Sequence, residues 1–152
     1  MDVLSKLIQN EILMSAVTAW CVAQVLKTLI HLWFTRSFVA ERLVGSGGMP
    51  SSHSATVCAL ATAVTCNYGV GGYEFAITFI SAIIVMYDAI GVRRETGIQA
   101  KVLNEILTLF EDMGSNMPAQ DKLKEFVGHS PIQVFMGSIL GVLLALFICG
   151  LQ

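Results

Sequence analysis

The chain has 152 residues, room for one domain, of which 55% are hydrophobic and 13% charged; its mean hydropathy is +0.69. Soluble domains carry roughly a quarter charged residues, so the composition points to a single membrane-embedded domain over residues 1–152. The net charge of -2 supplies no basic face, which argues against a nucleic-acid partner.

The N-terminus, "MDVLSKLIQNEILM", has an acid at position two and no basic start followed by a cleavage site, so it does not read as a signal or transit peptide. A bilayer core takes about 20 apolar residues as a helix. The first such stretch runs from about Ile12 to Phe34, interrupted only by Gln24, Lys27 and His31. After the polar block "GSGGMPSSHSA", a second span starts at Ser54 and ends near Tyr68. It is short and rich in Ala and Thr, which suits a helix packed inside a bundle. A third span is predicted over Tyr73 to Val92.

Arg93 to Ser130 is the only long polar stretch. Ile98, Val102, Ile106 and Phe110 recur there at helical spacing, with Gln99, Lys101, Asn104, Glu105 and Asp112 elsewhere around the turn. That pattern predicts an amphipathic helix on the membrane surface or against the bundle. Gly114 caps it and Pro118 lies beyond, and a short helix over Ala119 to Val127 leads to Gly128. The fourth span is predicted over Pro131 to Leu151, with Pro131 in a permitted first-turn position. The expected fold is an all-α integral membrane protein of about four transmembrane helices, with an amphipathic helical insertion between the third and fourth. Gly137 and Gly141 of "GSILG" suit close helix contact, either in a homodimer or within one subunit. Cys21, Cys58, Cys66 and Cys149 are scattered, mostly in apolar runs and without CxxC spacing, and read as small packing residues rather than a metal site.

The end of span one, the start of span two, the end of span three and the start of span four fall on one side. That side holds Arg36, Arg42, Arg93, Arg94, Lys101, Lys122 and Lys124, with Lys27 near its edge, against Lys6 alone on the other. The positive-inside bias places it in the cytoplasm, with both termini outside the cell (inner) membrane. It also gathers His53, His129 and Asp88. In "GSGGMPSSHSA", Gly47 and Gly48 let the backbone approach a ligand, Pro50 stiffens the turn, and Ser51 and Ser52 open a helix whose N–H groups suit an anion, with His53 beside them. A plain helix cap that happens to hold histidine is the competing reading. In "FVGHSPIQVFMGSILG", His129 precedes a span, and Gln133 follows one turn later, within reach of a ring nitrogen whose tautomer it would fix.

These two blocks, with "YDAIGVRRETGIQAKVLNEI", resemble the divergent small members of the type-2 phosphatidic-acid phosphatase superfamily, the group that includes the vanadium haloperoxidases. The superfamily pattern is Lys-x6-Arg-Pro, then Pro-Ser-Gly-His, then Ser-Arg-x5-His-x3-Asp. Pro50-Ser51-Ser52-His53 matches the middle element with Ser52 in place of Gly, and His129-x3-Gln133 matches the last with Gln in place of Asp. The likeness spans about Ala19 to Gly141. It implies that His129 is a nucleophile forming a phosphohistidine and that His53 is the general acid. It further implies phosphate contacts from Ser51, Ser52, the Gly47–Gly48 backbone, one or both of Arg93 and Arg94, Lys27 and Arg36. Gln133 would orient His129, while Asp88 or Glu125 restores a carboxylate nearby. Arginines, a lysine and fixed N–H groups suit the spread charge of phosphoryl transfer, and the expected chemistry needs neither metal nor cofactor. The implied substrate is a membrane phospholipid, most naturally phosphatidylglycerophosphate, which is made on the cytoplasmic leaflet. A prenyl or undecaprenyl diphosphate phosphatase is the alternative enzyme. A lipid-binding or scaffold protein whose catalysis has decayed is the alternative suggested by Gln133.

Overall fold

The computed structural model describes residues 2–36, 48–113, 123 and 128–151, apart from the side chains at 93, 111 and 112. Every regular element among them is a helix. The expected cap at Gly114 lies outside the described residues, as do Gly47 and Glu125; of the expected short helix over Ala119 to Val127 only Leu123 is described, and it is in no regular element.

A short helix that hydropathy did not single out, α1 (Val3–Ile8), comes first and leaves Val3, Leu4 and Ile8 exposed. Asn10 then starts α2 (Glu11–Thr35), its side chain accepting the Leu13 N–H at 3.0 Å. Ser51 caps α3 (Ser52–Tyr68) by accepting from the Ser54 N–H. Next come α4 (Tyr73–Ile90), α5 (Val92–Asp112) directly after Gly91, and α6 (Pro131–Cys149).

Among the described residues, three helical runs are long and apolar enough to cross a membrane: α2, the stretch from Tyr73 to Phe110, and α6. The third helix of the chain, expected to be short, rich in Ala and Thr and packed inside the bundle, is not one of the three. At 17 residues it covers about 25 Å and is less apolar, yet it packs against α2, α4 and α6 together. Thr56, Thr62 and Thr65 return their hydroxyls to carbonyls one turn back, at 2.7, 2.8 and 2.8 Å. Those polar atoms are satisfied within the helix, as an apolar surrounding requires. The neighbours take the lipid-facing role instead: α4 exposes Ile77, Ile80, Ile84 and Tyr87, and α6 exposes Phe135, Leu143 and Phe147.

The contact between α3 and α6 is made backbone to backbone. A Cβ on Gly137 would collide with the carbonyl oxygen of Ser51, and one on Gly141 with that of Ala55. Both pairs step by four residues in the same direction, so the two helices run parallel. Ala19, Ala23, Ala55, Ala59 and Ala145 form the core beside this seam, with Leu140 and Leu144 packed on it. The glycines of "GSILG" are therefore used inside the subunit.

Gly141→Ala should force the helices apart and cost about 1–3 kcal/mol, in the range of core overpacking. It is expected to lower the unfolding temperature in detergent. Gly71→Ala, where an added Cβ meets nothing within 4 Å, should leave it unchanged. Equal behaviour of the two variants would refute the tight seam.

Candidate active site

The seam decides which side chains meet at its end. Because Gly137 lies on Ser51, the first turn of α6 extends past the start of α3. The Ser51 N–H donates to the Gln133 carbonyl at 3.0 Å, and the His129 N–H donates to the Ala89 carbonyl at 3.1 Å. Two main-chain bonds thus join the starts of α3 and α6 to the end of α4. As the topology predicted, His53 and His129 come together, with ring centroids 6.2 Å apart and an interplanar angle of 61°.

His129 is 3% exposed. Its Nδ1 lies 3.1 Å from Oε1 of Gln133, and the Ser130 N–H reaches the same Oε1 at 3.1 Å. A main-chain N–H can only donate, so the shared atom must be the amide oxygen. Nδ1 therefore bonds to it as N–H, and the neutral ring carries its lone pair on Nε2. Gln133 holds one of the α6 terminal N–H groups and sets the tautomer of His129 through a single oxygen.

Around the pair, Ser51 and Ser54 are fully buried and Ser52 nearly so. The Ser54 hydroxyl donates to Ser51 Oγ at 3.0 Å. The first N–H groups of α3 have no intrahelical acceptor, as at any helix start, and they are directed to the same end as the histidines. Gly48 adopts φ 88°, a conformation natural to glycine. Lys27 is 2% exposed. It lies one turn beyond Ala23, which packs with Ala55 and Ala59, so α2 carries it toward the first turn of α3. A buried lysine in an apolar bundle is a functional feature by default.

The remaining predicted residues are placed less centrally. Asp88 is half-buried and precedes the residue whose carbonyl holds His129. Arg94 is exposed on the first turn of α5. Arg36 is exposed at the end of α2, with φ 51°. Of Arg93 only the helical backbone is described.

Two contributors carried no sequence signal. The Ala89 carbonyl belongs to an apolar residue, and a main-chain acceptor leaves no mark on residue type. Asn104 reads as one more polar-face residue, but it is buried. Its Nδ2 donates to the Leu123 carbonyl at 2.9 Å, and its Oδ1 accepts the Leu123 N–H at 3.0 Å. It thereby ties Leu123 to α5 across 19 positions.

A buried histidine and a half-buried one, paired at the starts of two adjacent helices with a membrane-type exterior, fit a PAP2-like membrane protein. The chain belongs to the Divergent PAP2 family, which it matches over residues 8–144. It is similar to "Uncharacterized membrane protein YuiD" of Bacillus subtilis (strain 168), with 41% identity over 150 residues that cover 93% of this chain and 95% of that protein. No solved structure matches it.

Gln133→Leu removes the acceptor shared by Ser130 and His129. It should cost about 1 kcal/mol through the lost helix-end bond alone, read as a lower unfolding temperature. Nitrogen-15 NMR of His129 should show the Nδ1–H tautomer in the wild type and a mixture in Gln133→Leu. A mixture already present in the wild type would contradict the assignment.

Proposed function

We propose that this chain is a membrane lipid phosphatase that hydrolyses a phosphomonoester through a phosphohistidine intermediate. The observation that carries the reading is the His53–His129 pair, with His129 held by Gln133 in the tautomer a nucleophile needs. Nε2 of His129 attacks phosphorus and the P–O bond to the lipid alcohol breaks, while His53 gives its proton to the leaving oxygen. Water then attacks the phosphohistidine, with His53 now taking a proton, and inorganic phosphate departs.

Lys27, Ser51, Ser52, the backbone of Gly47 and Gly48 and the N–H groups opening α3 are the groups assigned to the equatorial oxygens. Arg93, Arg94 and Arg36 reinforce the positive field. Asp88, next to the residue that anchors His129, is assigned to balancing the imidazolium charge that Gln133 leaves uncompensated; Glu125 is the alternative. The basic residues favour a site on the cytoplasmic face of the cell membrane. A phospholipid made on that leaflet, phosphatidylglycerophosphate, is the substrate this orientation favours.

The test is phosphate release in detergent from phosphatidylglycerophosphate, phosphatidic acid and undecaprenyl diphosphate, with chelator present throughout. Release is expected from phosphatidylglycerophosphate, reduced to background in His129→Ala and by about 10²–10⁴ in His53→Ala. Asp88→Asn should slow it. Label from the phosphate should be trapped on His129 in His53→Ala. Strongest release from undecaprenyl diphosphate would move the substrate to a prenyl diphosphate. Absence of release from every lipid by folded protein would mean that the site binds phosphate without turning it over.

A further inference from the structure

One polar side chain inside the bundle is used by nothing described so far. Gln24 of α2 is 6% exposed, and its Oε1 is buried with no hydrogen-bond partner among the described residues. Buried amide oxygens are nearly always satisfied, so an orphan marks a place where something else donates. The nearest hydroxyl on its own helix is already committed, since Thr28 Oγ donates to the Gln24 main-chain carbonyl at 2.8 Å. The neighbouring core is alanine and leucine, with Ala23, Ala55 and Ala59 beside Leu140 and Leu144. None of those side chains carries a donor.

The position of Gln24 gives the orphan a meaning. It lies three residues before Lys27, so the two share a face of α2, about 4.5 Å apart along the axis. Lys27 is on the site side and Gln24 is one step further into the bundle. A substrate whose phosphate sits at Lys27 and His129 would place at Gln24 the atoms that follow the phosphoester bond. In a phosphomonoester of an unacylated glycerol, such as glycerol 3-phosphate or the terminal glycerol of phosphatidylglycerophosphate, the carbon after the ester carbon carries a hydroxyl, which can donate. In a prenyl phosphate the same position is hydrocarbon.

We propose that Gln24 is a substrate-binding residue. Its carboxamide oxygen accepts a hydrogen bond from a hydroxyl next to the phosphoester, which selects glycerol-type phosphomonoesters over prenyl phosphates. The inference rests on the reading of the site as one that takes lipid phosphates.

The test uses binding rather than turnover. Glycerol 3-phosphate and propyl phosphate share the phosphomonoester and differ in their hydroxyls. Each is titrated into the full chain in detergent and followed by thermal shift. The wild type should bind glycerol 3-phosphate about tenfold more tightly, the worth of one typical hydrogen bond. Gln24→Leu should bind the two alike and unfold no lower than the wild type, because leucine removes an acceptor that no described protein group serves. Equal affinities in the wild type would overturn the proposal, and so would a Gln24→Leu chain that keeps the preference. A Gln24→Leu chain that unfolds earlier and weakens on both probes equally would mark Gln24 as a structural residue and overturn it too. The two readings fail separately. Silence in the phosphate-release assay with a Gln24-dependent preference for glycerol 3-phosphate would sink the phosphatase and support the contact.

Discussion

The architecture depends on the closeness of two backbones. Gly137 and Gly141 let α6 lie directly on the carbonyls of Ser51 and Ala55. That contact fixes the axial offset between the helices, so α6 begins beyond the start of α3 and its first turn stands over the end of its neighbour. The Ser51 N–H then finds the Gln133 carbonyl, and His53 faces His129. With larger residues at either glycine, the same two motifs would be present but displaced. Hydrocarbon offers no hydrophobic drive for helices to associate, so close packing and hydrogen bonds have to hold such a seam.

Enclosure of α3 follows from the same arrangement. Helices on three sides shield it, and it can be built of alanine, serine and threonine without presenting them to lipid. A helix so composed can bring polar atoms to its N-terminus and keep them dry. Ser51, Ser52 and Ser54 are all buried there, and Lys27, one turn beyond Ala23 on α2, is buried as well. A site of this kind has a low effective dielectric, in which each fixed dipole and charge acts more strongly on a bound anion than it would in water.

The parts of this arrangement that were legible in the sequence are those written locally. Runs of apolar residues gave α2, α4 and α6, because hydropathy measures the length a bilayer demands. The four-residue spacing of His129 and Gln133 foretold their contact, although His129 lies just before the helix and is met by Gln133 reaching back over Ser130 as a capping residue. The common end of His53 and His129 followed from counting crossings. What stayed hidden is non-local. The spacing of Gly137 and Gly141 announces a close contact but not its partner, which depends on the small residues at Ser51 and Ala55. Asn104 meets Leu123 across 19 positions, and no periodicity encodes such a pairing. Gln24 looked like an interruption in a span, since only a three-dimensional account of donors shows that its oxygen lacks one among the described residues. Hydropathy also missed α1, a helix of six residues.

The oxygen of Gln133 has a consequence for how the site responds to acid. A carboxylate at that position would orient the histidine only while ionised; once protonated, it would itself become a donor. A carboxamide does not titrate. The bond from Nδ1 of His129 and the bond from the Ser130 N–H therefore survive unchanged as the medium acidifies, and the end of α6 keeps its cap. In place of the charge a carboxylate would give, the chain has an orienting group that is indifferent to pH. Any acid sensitivity of this pair then does not originate in the group that aims one of its rings.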